Sequence, residues 1–307
     1  MPEPTPSTVP AVPDPHAFWA EAEVVLAPEQ PRRGAWVGGP SAVLADGTWW
    51  LAYRLRRPVG EGRGFANVVA RSADGVRFTP VLRRTREEFG AESLERPALV
   101  RTPEGRWRLY VSCATPGTKH WRVDLVEAGT VEGLADAPAV TVLPGGARTA
   151  VKDPVIRHDG RQWHLWASVH PLDDPYATDR MTTEHATSPD GVEWTWQGTA
   201  LAGTPGTWDR RGVRFAAVVL AGERSWALYD GRATAAENWE ERTGVAVANG
   251  NGRYTAAPDG PLLQSPHRPG GLRYADVVPL PDGSARWFYE ATRADGAHEL
   301  RTVLLPA

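Results

Sequence analysis

Three acids open apolar, strand-like runs in this 307-residue chain: Glu95 in "LERPALV", Asp153 in "KDPVIRHDG" and Asp276 in "RYADVVPLPDG". Asp153 stands seven residues before the turn glycine Gly160, and Asp276 stands seven before Gly283. Carboxyl groups that converge on one cleft can accept hydrogen bonds from sugar hydroxyls and carry general acid–base chemistry. Asp153 with Glu95 is the preferred pair, because both begin neighbouring first strands, and Asp276 is the alternative partner. Arg54, Arg96, Arg214, Arg232 and Arg273 fall at strand ends as well. Guanidinium groups fork onto carboxylate or phosphate oxygens, so these arginines suit an acidic or decorated sugar. Asp230, Glu290, His170 and Trp36 complete the expected substrate-binding set.

These residues are far apart in sequence, so the elements that carry them must bring them together. A glycine turn followed by a tryptophan-led apolar run recurs at Trp49, Trp107, Trp163, Trp226 and Trp287. The intervals are 58, 56, 63 and 61 residues, which makes five units of similar length. Each begins strand, tight turn, strand, and has room for two more strands. In units one and three the later strands flank "SADGVRF" and "SPDGVEW", where Asp-Gly predicts a hairpin turn with positive φ. The pattern predicts an all-β fold, a five-bladed β-propeller with four antiparallel strands per blade. A β-sandwich is the competing architecture. In a propeller the first strand of each blade lines the central channel, and Gly39, Glu95 or Arg96, Asp153, Arg214 or Phe215, and Asp276 are the counted positions at its mouth.

Residues 1–15 are proline-rich and are expected to form a disordered tail, leaving residues 16–307 as one propeller domain. A helix is expected only near "PHAFWAEAEVVL", with one helical turn in "TAAENWEERTG". In that second segment Glu237 and Glu241 would share a face, read here as solvated, with Arg242 as an ion-pair partner. Net charge is −3 with no basic block, which argues against a nucleic-acid partner. The single cysteine, Cys113, excludes an internal disulfide and follows an apolar run, as a buried inert thiol would. No apolar run is long enough for a signal peptide or a membrane span, so a cytoplasmic monomer is expected. No phosphate-binding glycine loop appears, and no motif demands a metal or other cofactor.

The stretch "KDPVIRHDGRQWHLW" resembles the third-blade motif of glycoside hydrolase family 43 and its five-bladed relatives. "SPDGVEW" and "LYDGR" resemble strand segments that follow in the same enzymes, and "LERPALV" resembles a Glu-Arg-Pro start found in some galactan-cleaving members. The resemblance implies a propeller acting on a carbohydrate or glycosylated small molecule. It also implies three acids: a base in blade one, an orienting acid in blade three and a proton donor in blade four. Asp153 matches the blade-three acid. Gly39 stands at the blade-one position, and Arg214 or Phe215 at the blade-four position, where neither can serve. Some relatives hold a structural calcium. The resemblance therefore leaves three outcomes: hydrolysis with relocated acids (Glu95, Asp276, Asp230 or Glu290), carbohydrate binding without cleavage, or a non-hydrolytic reaction in metabolite biosynthesis.

Overall fold

The computed structural model describes residues 14–221, 224–250 and 252–306. Of the expected tail, residues 1–13 lie outside the described residues. Asp14 caps a short helix, α1 (Pro15–Ala20), by accepting from the Ala17 N–H at 2.8 Å. Phe18 of that helix is buried against Trp287 and Tyr289.

The remaining regular elements are antiparallel strands with a few short 3-10 turns. The chain runs through β1 (Glu23–Leu26), then β2 (Trp36–Ala45), β3 (Thr48–Arg56), β4 (Gly64–Ser72) and β5 (Thr79–Thr85). A second sheet holds β6 (Leu94–Arg101), β7 (Trp107–Ala114), β8 (Trp121–Ala128) and β9 (Ala139–Leu143). A third holds β10 (Thr149–His158), β11 (Trp163–Pro171), β12 (Thr182–Ser188) and β13 (Thr195–Leu201). A fourth holds β14 (Gly212–Val219), β15 (Trp226–Arg232), β16 (Arg242–Gly250) and β17 (Arg253–Ala256). The last three strands are β18 (Leu272–Pro279), β19 (Ala285–Thr292) and β20 (His298–Leu305). Their fourth strand comes from the other part of the chain: β1 pairs antiparallel with β20. A parallel pairing of Trp36 with His298 joins this group to β2. The first strands neighbour one another in succession, β2 with β6, β6 with β10, β10 with β14, β14 with β18, and β18 with β2.

The five repeat tryptophans sit at or near the start of the second strand of each group, and all are buried. Apolar layers between neighbouring sheets hold them, for example Trp107 with Leu99 and Leu109, and Trp226 with Leu228 and Val277. At Asp46-Gly47 both φ angles are positive, 50° and 74°, as the hairpin turn between β2 and β3 requires. The two Ser-x-Asp-Gly turns work differently. Only their glycines have positive φ, and side chains hold the loops. Ser72 and Ser188 accept from the N–H of Gly75 and Gly191, while Asp74 and Asp190 accept from the next two N–H groups. The expected turn of unit four falls on residues 222 and 223, outside the described residues. The expected helical turn in the loop after β15 is a 3-10 turn at Ala235–Glu237, closed by a capping box between Thr234 and Glu237.

Candidate functional site

Every first strand slips register near its start. The shifts fall between Gly38 and Ser41, Leu94 and Pro97, Lys152 and Val155, Phe215 and Ala217, and Arg273 and Asp276. A bulge adds a residue without a partner and re-aims its side chain. Three of the bulges place a residue in the left-handed region: Gly39 at φ 61°, Asp153 at φ 54° and Tyr274 at φ 54°. Aspartate tolerates that region and tyrosine does not, so Tyr274 is held in a strained backbone. Tyr274 therefore takes the place in the fifth group that counting from the glycine turn gave to Asp276.

The re-aimed side chains and the ends of the second strands form one buried ionic network. Asp153 is fully buried and contacts Arg214 at 3.2 Å, the Tyr274 hydroxyl at 3.3 Å and Lys152 at 3.6 Å. Its backbone N–H donates to Ser112 at 2.8 Å, and it accepts from the Arg96 N–H at 3.3 Å. Arg214 also grips Asp230 at 2.7 Å. Arg273 bridges Glu290 at 2.7 Å and Glu241 at 3.0 Å. Arg54 pairs with Glu95 and, at 3.0 Å, with Glu290, and Arg232 pairs with Glu241. His298 sits behind, 2.8 Å from Glu290, with its ring stacked on Trp36.

Charge pairing decides the ionisation here. Burial opposes ionisation of Asp153, but Lys152, Arg214 and Arg54 outweigh it and hold the carboxyl down at about 2. Burial likewise opposes Glu241 and Glu290, and their arginines still hold both below the ordinary carboxylate range. Burial pushes the Lys152 ammonium down to about 8 against the pull of Asp153. Burial, reinforced by Lys152, drives His170 down to about 3, so its imidazole is neutral. Burial raises the Tyr274 phenol to about 12 and keeps it a hydrogen-bond donor.

A cavity of about 420 Å³ opens above this network. Its wall carries Lys152, Arg214, Arg232 and Arg273, with Glu95 and Glu241 between them, and the aromatic faces of Trp121, Trp239 and Tyr274. Such a wall can stack a sugar ring, bond its hydroxyls and neutralise an acidic substituent. Among the described residues, no group of three or more His, Cys, Asp or Glu is placed to hold a metal ion.

Of the residues chosen from sequence, Glu95, Arg214, Arg232, Arg273 and His170 reach the cavity wall. Asp153, Asp230, Glu290 and Arg54 are buried in the network that supports it. Trp36 is buried too, packed between His298 and Arg56. Arg96 turns inward, donating to the Pro40 carbonyl at 3.1 Å. Asp276 is set apart, accepting from the Ala42 N–H at 2.7 Å and pairing with Arg157 at 3.1 Å.

Glu241 is the main residue that sequence reasoning missed. It is 1% exposed and central to the network, not on a solvated face. Its signal was its position just before β16, opposite Arg232 at the end of β15. Arg242 does pair with Glu237, at 3.1 Å. Trp121 and Trp239 were also missed, since nothing in their local sequence separates a wall aromatic from a core one.

No family model matches the chain, and no curated protein sequence matches it. Solved structures do. A thermostable family-43 glycoside hydrolase is 13% identical over 87% of this chain and 88% of its own, with a TM-score of 0.67. A β-1,2-mannobiose phosphorylase from Listeria innocua is 14% identical over 92% and 90%, with a TM-score of 0.63. A glycosyl hydrolase from Bacteroides ovatus is 13% identical over 90% and 85%, with a TM-score of 0.62. At these identities the likeness concerns architecture: this chain has the propeller fold shared by family-43-like glycoside hydrolase structures.

Proposed function

We propose that residues 16–307 form a single five-bladed propeller, monomeric, that acts on a glycoside bound in the central cavity. The observation that carries this reading is the wall itself, where Glu95, Asp179 and Glu241 meet six cations, Arg63, Lys119, Lys152, Arg214, Arg232 and Arg273, and three aromatic rings drawn from several sheets. The likeness to hydrolase and phosphorylase structures supports the same reading. Glu95 is the acid placed to work at the bond, because it stands on the wall at the bulge of β6. Asp153, behind the wall, fixes Arg214, Lys152 and Tyr274, and its role is to orient. Asp276, the alternative catalytic acid, has no place in this reading because it does not line the cavity. Cation excess on the wall favours a sugar bearing an acid group.

The test is a panel of aryl glycosides and oligosaccharides, uronides and arabinofuranosides included, assayed with and without inorganic phosphate. Turnover of at least one is expected, with a drop of about 100-fold or more in Glu95→Gln. Phosphate dependence would assign phosphorolysis, and its absence hydrolysis. If no member is bound or cleaved between pH 4 and 9, the reading falls.

A second reading, binding without cleavage, is favoured by one observation. Both Glu95 and Glu241 are ion-paired, and Glu241 is held far from the raised pKa that a proton donor needs. Calorimetric binding of a panel member that is never cleaved, unchanged in Glu95→Gln, would establish it.

A further inference from the structure

Arg56, at the end of β3, is 4% exposed, yet its Nε and Nη1 make no hydrogen bond, and no ion pair forms to it among the described residues. Its guanidinium lies over the Trp36 ring at 3.9 Å and beside the Trp239 ring at 5.0 Å. Two more buried donors around the same indole, Trp36 Nε1 and Arg54 Nε, also lack an acceptor. Every other central arginine has a carboxylate or carbonyl partner: Arg54, Arg214, Arg232 and Arg273 all pair with acids. Burial, together with Arg54, Arg273 and Arg63, disfavours the charge on Arg56 and lowers its pKa to about 8, while Glu290 pulls the other way. A guanidinium stays charged even so, which makes it a buried cation lacking a counter-ion.

Arg56 itself lines a small neighbouring pocket with Trp36 and Phe65, and Trp239 is the ring that meets both Arg56 and the cavity. Trp239 is 40% exposed and lines the cavity, in a loop between the 3-10 turn and β16. Its φ of 76° is costly for a bulky side chain. The Trp239 N–H reaches Glu241 only at 3.4 Å, a long bond.

We propose that Arg56 is the recognition residue for an oxyanion, carboxylate or phosphoryl, carried by the ligand of the cavity, and that Trp239 is the cover it displaces. This rests on the reading of the cavity as a glycoside site. The anionic group supplies the acceptor that Arg56 and Trp36 lack, while the sugar ring stays in the cavity beside Arg273 and Trp121. A fork of two parallel N–H donors suits either group, and the ligand panel distinguishes them.

The test measures thermal stability with glucuronate, inorganic phosphate or glucose, and binding of an aryl glucuronide, an aryl glucoside 6-phosphate and the neutral aryl glucoside. Wild type is expected to gain Tm with at least one anion and not with glucose, and to prefer that anionic glycoside over the neutral one at least tenfold. Arg56→Met should erase the anion-induced gain and reduce the preference tenfold or more. Arg56→Lys should restore only part of it. Trp239→Ala, which leaves the arginine in place, should strengthen binding of the anion. A purely structural cation–π clamp would lower Tm in Arg56→Met without changing the preference, and that outcome overturns the proposal. So does a wild type that ignores both anions. If Arg56→Met does not fold, unchanged anion binding in both Trp239→Ala and Arg56→Lys overturns it equally. Stabilisation by free glucuronate or phosphate that depends on Arg56, with every glycoside unbound, would sink the glycoside reading and leave this one standing.

Discussion

At Gly39-Pro40 and at Asp153-Pro154 the backbone does the same thing. In both, a residue at positive φ, 61° and 54°, opens a bulge in a first strand, and a proline follows. Proline fits because the bulge leaves that position outside the ladder, so its missing N–H costs nothing. The chemistry is opposite. Asp153 is the counter-ion of Lys152 and Arg214, whereas Gly39 is packed so that a Cβ would meet Arg96 at 3.4 Å. All five first strands bulge near their starts, and the three bulges that reach the left-handed region hold a glycine, an aspartate and a tyrosine. Shared geometry does not imply shared chemistry: where a blade-one base was expected, β2 carries Gly39, which has no side chain to serve.

Removing the charge from one member of this pair should have the largest effect. Asp153→Ala leaves buried cations uncompensated and is expected to cost about 3–5 kcal/mol, read from the midpoint of denaturant unfolding. A change under about 1 kcal/mol would show that the network is wetter than its burial indicates. Acid should reproduce part of this loss. The folded pKa of Asp153, about 2, lies below its ordinary value, so its contribution is present above pH 4 and disappears as pH falls toward 2. A stability–pH curve should therefore fall across that window, and fall less steeply in Asp153→Asn, where Glu241 and Glu290 still contribute. Tyr274→Phe removes one bond to Asp153 and should cost about 1 kcal/mol. An effect no larger is expected at the other bulge. Gly39→Ala forces a Cβ into the left-handed region and should cost about 1 kcal/mol, with Gly39→Asp milder because aspartate accepts that conformation. Equal losses in the two Gly39 variants would place the cost in the Arg96 contact, not in the backbone.

The architecture was legible because it repeats. Trp49, Trp107, Trp163, Trp226 and Trp287 mark second strands through a local pattern of turn and apolar alternation, which a sequence displays directly. The site was legible only where a bulge lay at the expected distance from its turn. Gly39, Asp153 and Tyr274 stand eight, seven and nine residues before Gly47, Gly160 and Gly283, so a fixed count reached Asp276 instead of Tyr274. Bulge position is set by pairing across the sheet, not by distance along the strand. Glu241 escaped for a related reason: its partners, Arg232 and Arg273, come from different sheets, and nothing within its own segment "NWEERTG" signals burial. The fourth strand of the last group escaped as well, because β1 lies at the opposite end of the chain from its partner β20.

The pairing of β1 with β20 has a consequence for how the protein is made. A ribosome releases residues 23–26 almost a full chain length before residues 298–305 exist to receive them. Until then the early segment has no docking edge, and closing so long a loop is entropically slow. Nascent chains arrested before His298 should thus carry an orphan apolar strand, open to capture by a holding chaperone or by one another.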